Sequence, residues 1–93
     1  MIKTFSDKKT VAVFIGQFVK GFPPEVTIRA RMRLLQVHRA LSVDDVRLPP
    51  SNRLEMLKGD RAGQWSVRIN EQWRVCFRFV GPDAFDVEIV DYH

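Results

Sequence analysis

The sequence predicts an α+β fold in which two N-terminal helices pack on a small antiparallel sheet. Two observations predict it. Apolar residues recur at helical spacing in the first part of the chain, and beyond residue 53 they alternate with polar residues as in half-buried strands. A length of 93 residues predicts a single domain over residues 1–93.

The first two elements are predicted to be a short strand and a helix. Residues 1–5 alternate apolar and polar side chains, which predicts the strand. Ser6 or Asp7 then caps the helix, because their side-chain oxygens accept hydrogen bonds from first-turn amides, and Gly21 ends it. The expected inward stripe of this helix consists of Val11, Phe14, Ile15 and Phe18.

A second helix is predicted over residues 24–40, with Pro24 at its first position. His38 lies on this helix and is interpreted as structural or solvent-facing. Arginines spread around the outer faces and form either a solvated surface or a basic surface for RNA, the ribosome or an acidic partner. The inward stripe is Val26, Ala30, Leu34, Val37 and Leu41, and the outer arginines are Arg29, Arg31, Arg33 and Arg39.

The second half of the chain predicts a meander of strands. Residues 41–52 contain adjacent acidic residues and two prolines, which predicts an ordered loop without regular structure. A short strand at 53–57 and a turn at 58–63 follow. The last three strands are predicted at 65–69, 73–80 and 84–90, joined by three-residue loops at 70–72 and 81–83.

The register of these strands predicts a candidate site. Odd-length loops keep the apolar sets of all three strands, including Phe85, on one face. Arg68 then lies directly opposite Arg74, and Arg78 lies opposite Asp86. Like charges directly opposite each other are destabilising, whereas two neighbouring guanidiniums suit a phosphate. The alternative is that both arginines point apart into solvent.

The end of the chain offers groups for proton transfer. Asp91, Tyr92 and His93 follow the last strand and supply a carboxylate, a phenol and an imidazole. The register places this segment beside Trp73 and Arg74. A frayed terminus without a function is the alternative.

Composition and charge narrow the class of protein. The formal net charge is +4, which favours a polyanionic partner. Cys76 is the single cysteine, there is no long apolar run, and the N-terminal residues lack the pattern of a signal peptide. A cytoplasmic protein with no membrane segment is therefore expected. No cluster with metal-ligand spacing and no glycine-rich phosphate loop is seen in the sequence.

Three segments, in order, resemble HigB-like plasmid-maintenance killer toxins of the RelE/ParE superfamily. NRLEMLKGDR at 52–61 resembles the LxxLKGDR segment of that family. QWSVRIN at 64–70 with QWRV at 72–75 is similar to its central hairpin, and VEIVDYH at 87–93 matches its ending. The resemblance implies a RelE-like fold and an endoribonuclease that cuts mRNA, typically on the ribosome, without a metal or cofactor. It also implies a helix-turn-helix antitoxin of the HigA type.

The chemistry that the resemblance implies is attack of a ribose 2′-hydroxyl on the adjacent phosphate. Arg74 is the expected cation at that phosphate, with Arg68 as its neighbour. His93 or Asp91 is expected to transfer protons, and Tyr92 to orient RNA or stack on a base. Lys58 and Arg61 are expected to hold the RNA backbone.

Glu55 is a departure from the family pattern, since many relatives carry histidine in that segment. A carboxylate is intrinsically a weaker proton acceptor at neutral pH than an imidazole. The choice of general base between Glu55 and His93 therefore stays open at this point. Two other functions compete: an RNA- or ribosome-binding module that blocks translation without cleavage, and a decayed toxin that acts with its antitoxin in repressing their operon.

Overall fold

A computed structural model describes residues 1–91 of the chain, and Tyr92 and His93 lie outside the described residues. Two helices pack on one face of a four-stranded antiparallel sheet of order β1-β2-β3-β4, as predicted. No helix within residues 1–91 is long and apolar enough to cross a membrane. The elements are α1 Lys8–Phe14, α2 Pro24–Arg39, β1 Glu55–Met56, β2 Trp65–Arg68, β3 Trp73–Val80 and β4 Asp83–Asp91.

The N-terminal segment runs along the outer edge of β4 without forming a full strand. Only two isolated parallel bridges join it to the sheet, Ile2 to Ala84 and Phe5 to Val87. The strand predicted over residues 1–5 is therefore wrong in extent. The segment nevertheless covers backbone groups at the edge of β4, because the Lys3 and Ser6 amides donate to carbonyls of that strand.

Helix α1 is shorter than predicted and faces the core with different residues. Asp7 caps it by accepting a hydrogen bond from the Thr10 amide at 2.8 Å, and the helix ends at Phe14. Thr10 and Val13 are buried, whereas three residues of the expected stripe are exposed, at 36%, 60% and 68%. The Thr10 hydroxyl accepts a hydrogen bond from the Ile89 amide of β4 at 3.0 Å, which fixes the rotation of the helix. The exposed residues are Val11, Ile15 and Phe18.

Helix α2 agrees closely with the prediction. Its inward stripe is buried except for Leu41, which lies beyond the end of the helix at Arg39 and is exposed. His38 has a structural role: its Nδ1 accepts a hydrogen bond from the Ile2 amide at 3.0 Å, and its ring packs edge-on against Phe14.

The segment between α2 and β1 contains two short 3-10 turns, Val43–Val46 and Pro50–Asn52, where no regular structure was predicted. The buried Asn52 amide holds this segment together, because it donates to Gln36 Oε1 and to the Val46 carbonyl. The segment leads directly into β1, so Asn52 also anchors the approach to Glu55.

The β2–β3 register is as predicted, but the β3–β4 register contains a bulge. Val80 pairs with Asp83, so the connection is a two-residue turn and not the expected three-residue loop. An extra residue at Asp86, with φ of 55°, shifts the register by one and restores the predicted pairing of Val75 with Ile89. As a result Ala84, and not Phe85, is fully buried at the start of β4. Arg78 pairs in the ladder with Phe85.

Candidate active site

The candidate site lies on the sheet face opposite the helices. Val67, Val75 and Phe77 belong to the core with the helices, so the residues that alternate with them point to the other face. One row of paired positions crosses the whole sheet on that face, from Glu55 through Ser66 and Cys76 to Glu88. In the neighbouring row, Arg68 lies directly opposite Arg74, as the sequence predicted.

Arg74 is fixed by hydrogen bonds from both terminal nitrogens of its guanidinium. Nη1 donates to Ser66 Oγ at 2.7 Å and to the Arg53 carbonyl at 3.3 Å. Nη2 donates to Glu55 Oε1 at 3.1 Å. The side chain is only 12% exposed. Such a held arginine is a preorganised cation, since little side-chain entropy remains to be lost when an anion binds.

A polar cleft of about 360 Å³ opens beside this arginine. It is lined by Arg53, Arg68, Asn70, Glu71 and Arg74, so three arginines meet around one volume. A concentration of positive charge of this kind suits a phosphate group. Within residues 1–91 no group of three or more His, Cys, Asp or Glu side chains is placed to hold a metal ion.

Glu55 stands at the edge of the sheet with half of its side chain exposed, 53%. Its Oε1 accepts the hydrogen bond from Arg74, and its Oε2 has no hydrogen-bond partner among residues 1–91. The carboxylate therefore has one oxygen that fixes its position and one that faces solvent. This arrangement allows it to accept a proton from a substrate bound near Arg74.

The two predicted backbone-holding residues are placed differently. Lys58 is exposed between β1 and the Gly59–Arg61 turn, and its side chain forms no hydrogen bond or ion pair with the rest of residues 1–91. Arg61 donates to Glu88 Oε1 at 3.3 Å and to Gln64. Neither residue lines the cleft of Arg68 and Arg74, and their contact with RNA stays a prediction.

The last described residue of β4 lies near this cleft. Asp91 pairs with Trp73 and Val90 pairs with Arg74, as the register predicted. The Asp91 carboxylate accepts a hydrogen bond from Gln72 Nε2 at 3.2 Å. The predicted roles of Tyr92 and His93 fall on residues outside the described part of the chain.

Cys76 lies beneath the charged side chains of the site face and is fully buried. Burial raises the pKa of its thiol, Arg61 opposes this rise, Glu88 adds to it and Arg74 opposes it. The thiol is therefore held in its neutral form, which makes it a packing residue and not a nucleophile.

Sequence reasoning missed Ser66 and Arg53. Ser66 is fully buried, and its hydroxyl accepts from Arg74. The predicted strand register could have identified Ser66. It is a small polar residue two positions before Arg68 on the same sheet face, so it lies within reach of a side chain on the next strand. The carbonyl of Arg53 faces Arg74 because this residue adopts a left-handed conformation with φ of 46°, which no local pattern predicts.

Comparison with known proteins identifies the family of the chain. A family model described as the RelE-like toxin of the type II toxin–antitoxin system HigB matches residues 3–93. Endoribonuclease HigB of Proteus vulgaris is 32% identical over 93 residues, all of both chains. Toxin HigB-1 of Vibrio cholerae serotype O1 is 38% identical over 64 residues, 68% of this chain and 67% of that protein.

Solved structures with low sequence identity share the fold. The YoeB-YefM complex from Staphylococcus aureus contains a chain with a TM-score of 0.59 and 14% identity, covering 100% of this chain and 98% of that one. A YoeB/ParE toxin from Agrobacterium tumefaciens has a TM-score of 0.56 and 19% identity, covering 98% of each chain. The chain therefore belongs to the HigB-like, RelE-like toxins of type II toxin–antitoxin systems, a family with an endoribonuclease among its members.

Proposed function

We propose that this toxin is an endoribonuclease that cuts mRNA on the translating ribosome, without a metal, by attack of a ribose 2′-hydroxyl on the adjacent phosphate. The observation that carries the proposal is the fixed Glu55–Arg74 pair beside the cleft of Arg68. It places a carboxylate with a solvent-facing oxygen next to cations that suit a phosphate.

Arg74 and Arg68 are the proposed phosphate ligands. As the 2′-oxygen attacks, negative charge gathers on the two non-bridging oxygens of the phosphate. Arg74, held by Ser66 and the Arg53 carbonyl, stabilises that charge without having to reorganise. Arg68, directly opposite, adds a second positive charge to the same cleft.

Glu55 is the proposed base and His93 the proposed acid. The Glu55 Oε2 takes the proton of the 2′-hydroxyl while the 2′-oxygen bonds to phosphorus and the bond from phosphorus to the 5′-oxygen breaks. His93 gives a proton to the leaving 5′-oxygen. The products are a 2′,3′-cyclic phosphate and a 5′-hydroxyl, so atoms and charge balance. Asp91 and Tyr92 are proposed to position His93 and the base of the RNA.

The partners follow from the same proposal. The substrate is mRNA in the ribosome, where Lys58 and Arg61 are proposed to hold the RNA backbone. The antitoxin of this toxin–antitoxin pair is proposed to be a helix-turn-helix protein of the HigA type. Since translating ribosomes are the site of action, the place of action is the cytoplasm.

The proposal is tested by mapping 5′ ends of an mRNA in a translation extract, with and without the purified toxin, and again on the RNA without ribosomes. The expected result is a set of discrete, ribosome-dependent cuts whose upstream fragments end in cyclic phosphate. Cyclic phosphate is the diagnostic product, because hydrolysis by metal-bound water leaves a linear phosphate. Stalled translation over intact mRNA contradicts the proposal and favours a toxin that blocks ribosomes by binding.

A further inference from the structure

A second basic cleft lies next to the candidate active site, between helix α2 and the end of strand β2. Its volume is about 420 Å³, and Arg29, Arg33 and Arg68 all line it. Arg68 also lines the cleft that contains Arg74. The two clefts therefore share one arginine, and positive charge continues from the reacting centre to the surface of α2.

Arg33 is built into this second cleft. Its Nε donates to the backbone carbonyl of Arg68 at 3.0 Å, which joins the helix to the strand. Its two terminal nitrogens have no hydrogen-bond partner among residues 1–91. Burial lowers the pKa of the Arg33 guanidinium, and the nearby Arg29 lowers it further. The fold thus holds a partly buried arginine beside a like charge, which costs stability unless an anion binds.

The arginines of this cleft lack carboxylate partners in the described part of the chain. Four other arginines of residues 1–91 form ion pairs within 4.0 Å, with Asp44, Glu88, Glu55 and Asp86, and none of these pairs includes Arg29, Arg33 or Arg68. Glu71 lines the cleft without forming such a pair. The positive charge of the cleft is therefore not neutralised by an ion pair within residues 1–91.

We propose that the Arg29–Arg33–Arg68 cleft is a second phosphate subsite, which binds an RNA phosphodiester next to the one that is cut. The inference rests on the proposed function and adds a site to it. Arg68 touches both phosphates, and Arg33 and Arg29 hold the flanking one. The RNA that supplies this phosphate is either the mRNA substrate or ribosomal RNA beside it, and the chemistry of the contact is the same.

The test measures binding of RNA that cannot be cleaved. The full chain is titrated with a single-stranded oligoribonucleotide whose riboses are 2′-O-methylated, and separately with vacant ribosomes, over a range of salt concentrations. The variants Arg33→Gln and Arg29→Gln, the latter at an exposed position, are compared with Arg39→Gln, which removes the same charge from α2 outside the cleft. Thermal unfolding checks that Arg33→Gln folds, and Arg29→Gln tests the same cleft without touching the bond to Arg68.

A loss of about tenfold in affinity is expected for each cleft variant, the size expected for one charge-assisted hydrogen bond. For the oligoribonucleotide, the slope of log affinity against log salt should fall by about 0.7 for each lost phosphate contact. Loss with the oligoribonucleotide assigns the phosphate to mRNA, and loss with ribosomes alone assigns it to ribosomal RNA. Arg39→Gln is expected to bind as the unaltered toxin does.

The inference is overturned if Arg33→Gln and Arg29→Gln bind both RNAs with the same affinity as Arg39→Gln. If those same variants instead lose affinity for the antitoxin, the cleft takes an acidic protein segment. Failure of the unaltered toxin to cut ordinary mRNA on ribosomes refutes the proposed function alone. The binding test stays valid in that case, because its RNA cannot react whether or not the toxin is a nuclease. An unaltered toxin that binds neither RNA refutes both.

Discussion

The Glu55 carboxylate is held by the Arg74 guanidinium, with Oε1 at 3.1 Å from Nη2, on neighbouring rows of the same sheet face. The ion pair crosses from β1 to β3 over the intervening strand β2, where Ser66 contacts the arginine from below. An ion pair whose carboxylate is half-exposed contributes little to folding. Its geometry instead fixes a cation and a proton acceptor relative to each other.

Replacing Arg74 is expected to impair cleavage far more than stability. For Arg74→Gln, single-turnover cleavage of ribosome-bound mRNA should slow by about 10²–10³, the loss seen when one stabilising donor of a transition state is removed. The free energy of unfolding should fall by about 1–2 kcal/mol, because the ion pair with Glu55 and the hydrogen bonds to Ser66 and to the Arg53 carbonyl are lost. Arg78→Gln is the matched control, since it removes another paired arginine of β3. Equal cleavage by the two variants would contradict the role of Arg74.

The roles of Glu55 and His93 are separated by changing the leaving group. In an RNA whose 5′-bridging oxygen is replaced by sulfur, the leaving thiolate needs no acid. His93→Ala should therefore recover most of its activity on this substrate, while Glu55→Gln stays impaired by about 10²–10⁴. Glu55→Gln keeps an oxygen that accepts from Arg74 but cannot take up a proton.

If Glu55→Gln recovers activity on the sulfur-containing RNA and His93→Ala does not, Glu55 is the acid and His93 is the base. Full activity of both variants on ordinary RNA removes both residues from proton transfer. Equal concentrations of ribosome-bound toxin, measured by sedimentation, are needed for either comparison.

The bulge at Asp86 gives a prediction about stability. Asp86 has φ of 55°, a conformation that Asp and Asn tolerate better than β-branched residues. Asp86→Val should lower the free energy of unfolding by about 1–3 kcal/mol because of this backbone strain. Asp86→Asn loses the same ion pair with Arg78 but keeps the tolerance, so it should cost about 1 kcal/mol or less. Urea unfolding of the two variants measures the difference, and equal losses would show that the ion pair, not the backbone, dominates.

The part of the site that depends on strand alternation could be predicted from the sequence. The opposition of Arg68 and Arg74 follows from two apolar sets and a three-residue loop. The bulge at Asp86 could not be predicted from the sequence. A two-residue turn plus one extra residue gives the same register at Ile89 as a three-residue loop, so the apolar pattern does not distinguish the two. The inward face of α1 could not be predicted from the sequence either. Its apolar spacing favoured Val11 and Ile15, but a buried hydrogen bond from Ile89 to Thr10 decided the rotation.

Cys76 predicts a dependence of stability on alkaline pH. Burial raises the pKa of its thiol in the folded toxin, so the folded state keeps the proton at a pH where the unfolded chain, with a thiol pKa of about 8.5, releases it. The contribution of the Cys76 thiol to the free energy of unfolding is fully present below the thiol pKa of the unfolded chain, and it is lost as the pH rises above that value. Urea unfolding between neutral and alkaline pH should therefore show a steeper loss for the unaltered toxin than for Cys76→Ala. Parallel losses would contradict the shift.

The same burial predicts slow alkylation of Cys76. At pH 8, iodoacetamide should modify the folded toxin more than about a hundredfold more slowly than the urea-unfolded chain, since the thiol reacts only when the fold opens. Mass spectrometry follows the single modification. Rapid alkylation of the folded chain would show that the side chains of Arg61 and Glu88 leave the thiol open to solvent.

Ser66 is predicted to be a positioning residue that acts through Arg74. Its buried hydroxyl accepts from Nη1 at 2.7 Å, so Ser66→Ala should let the guanidinium move and lower kcat about tenfold, with KM little changed because the arginine still attracts phosphate. A double-mutant cycle separates this role from a structural one. In the Arg74→Gln background, Ser66→Ala should have no further effect on kcat, since the residue that it positions is gone. An additive loss, with the same tenfold effect in both backgrounds, would mean that Ser66 supports the site by some other route than its bond to Arg74.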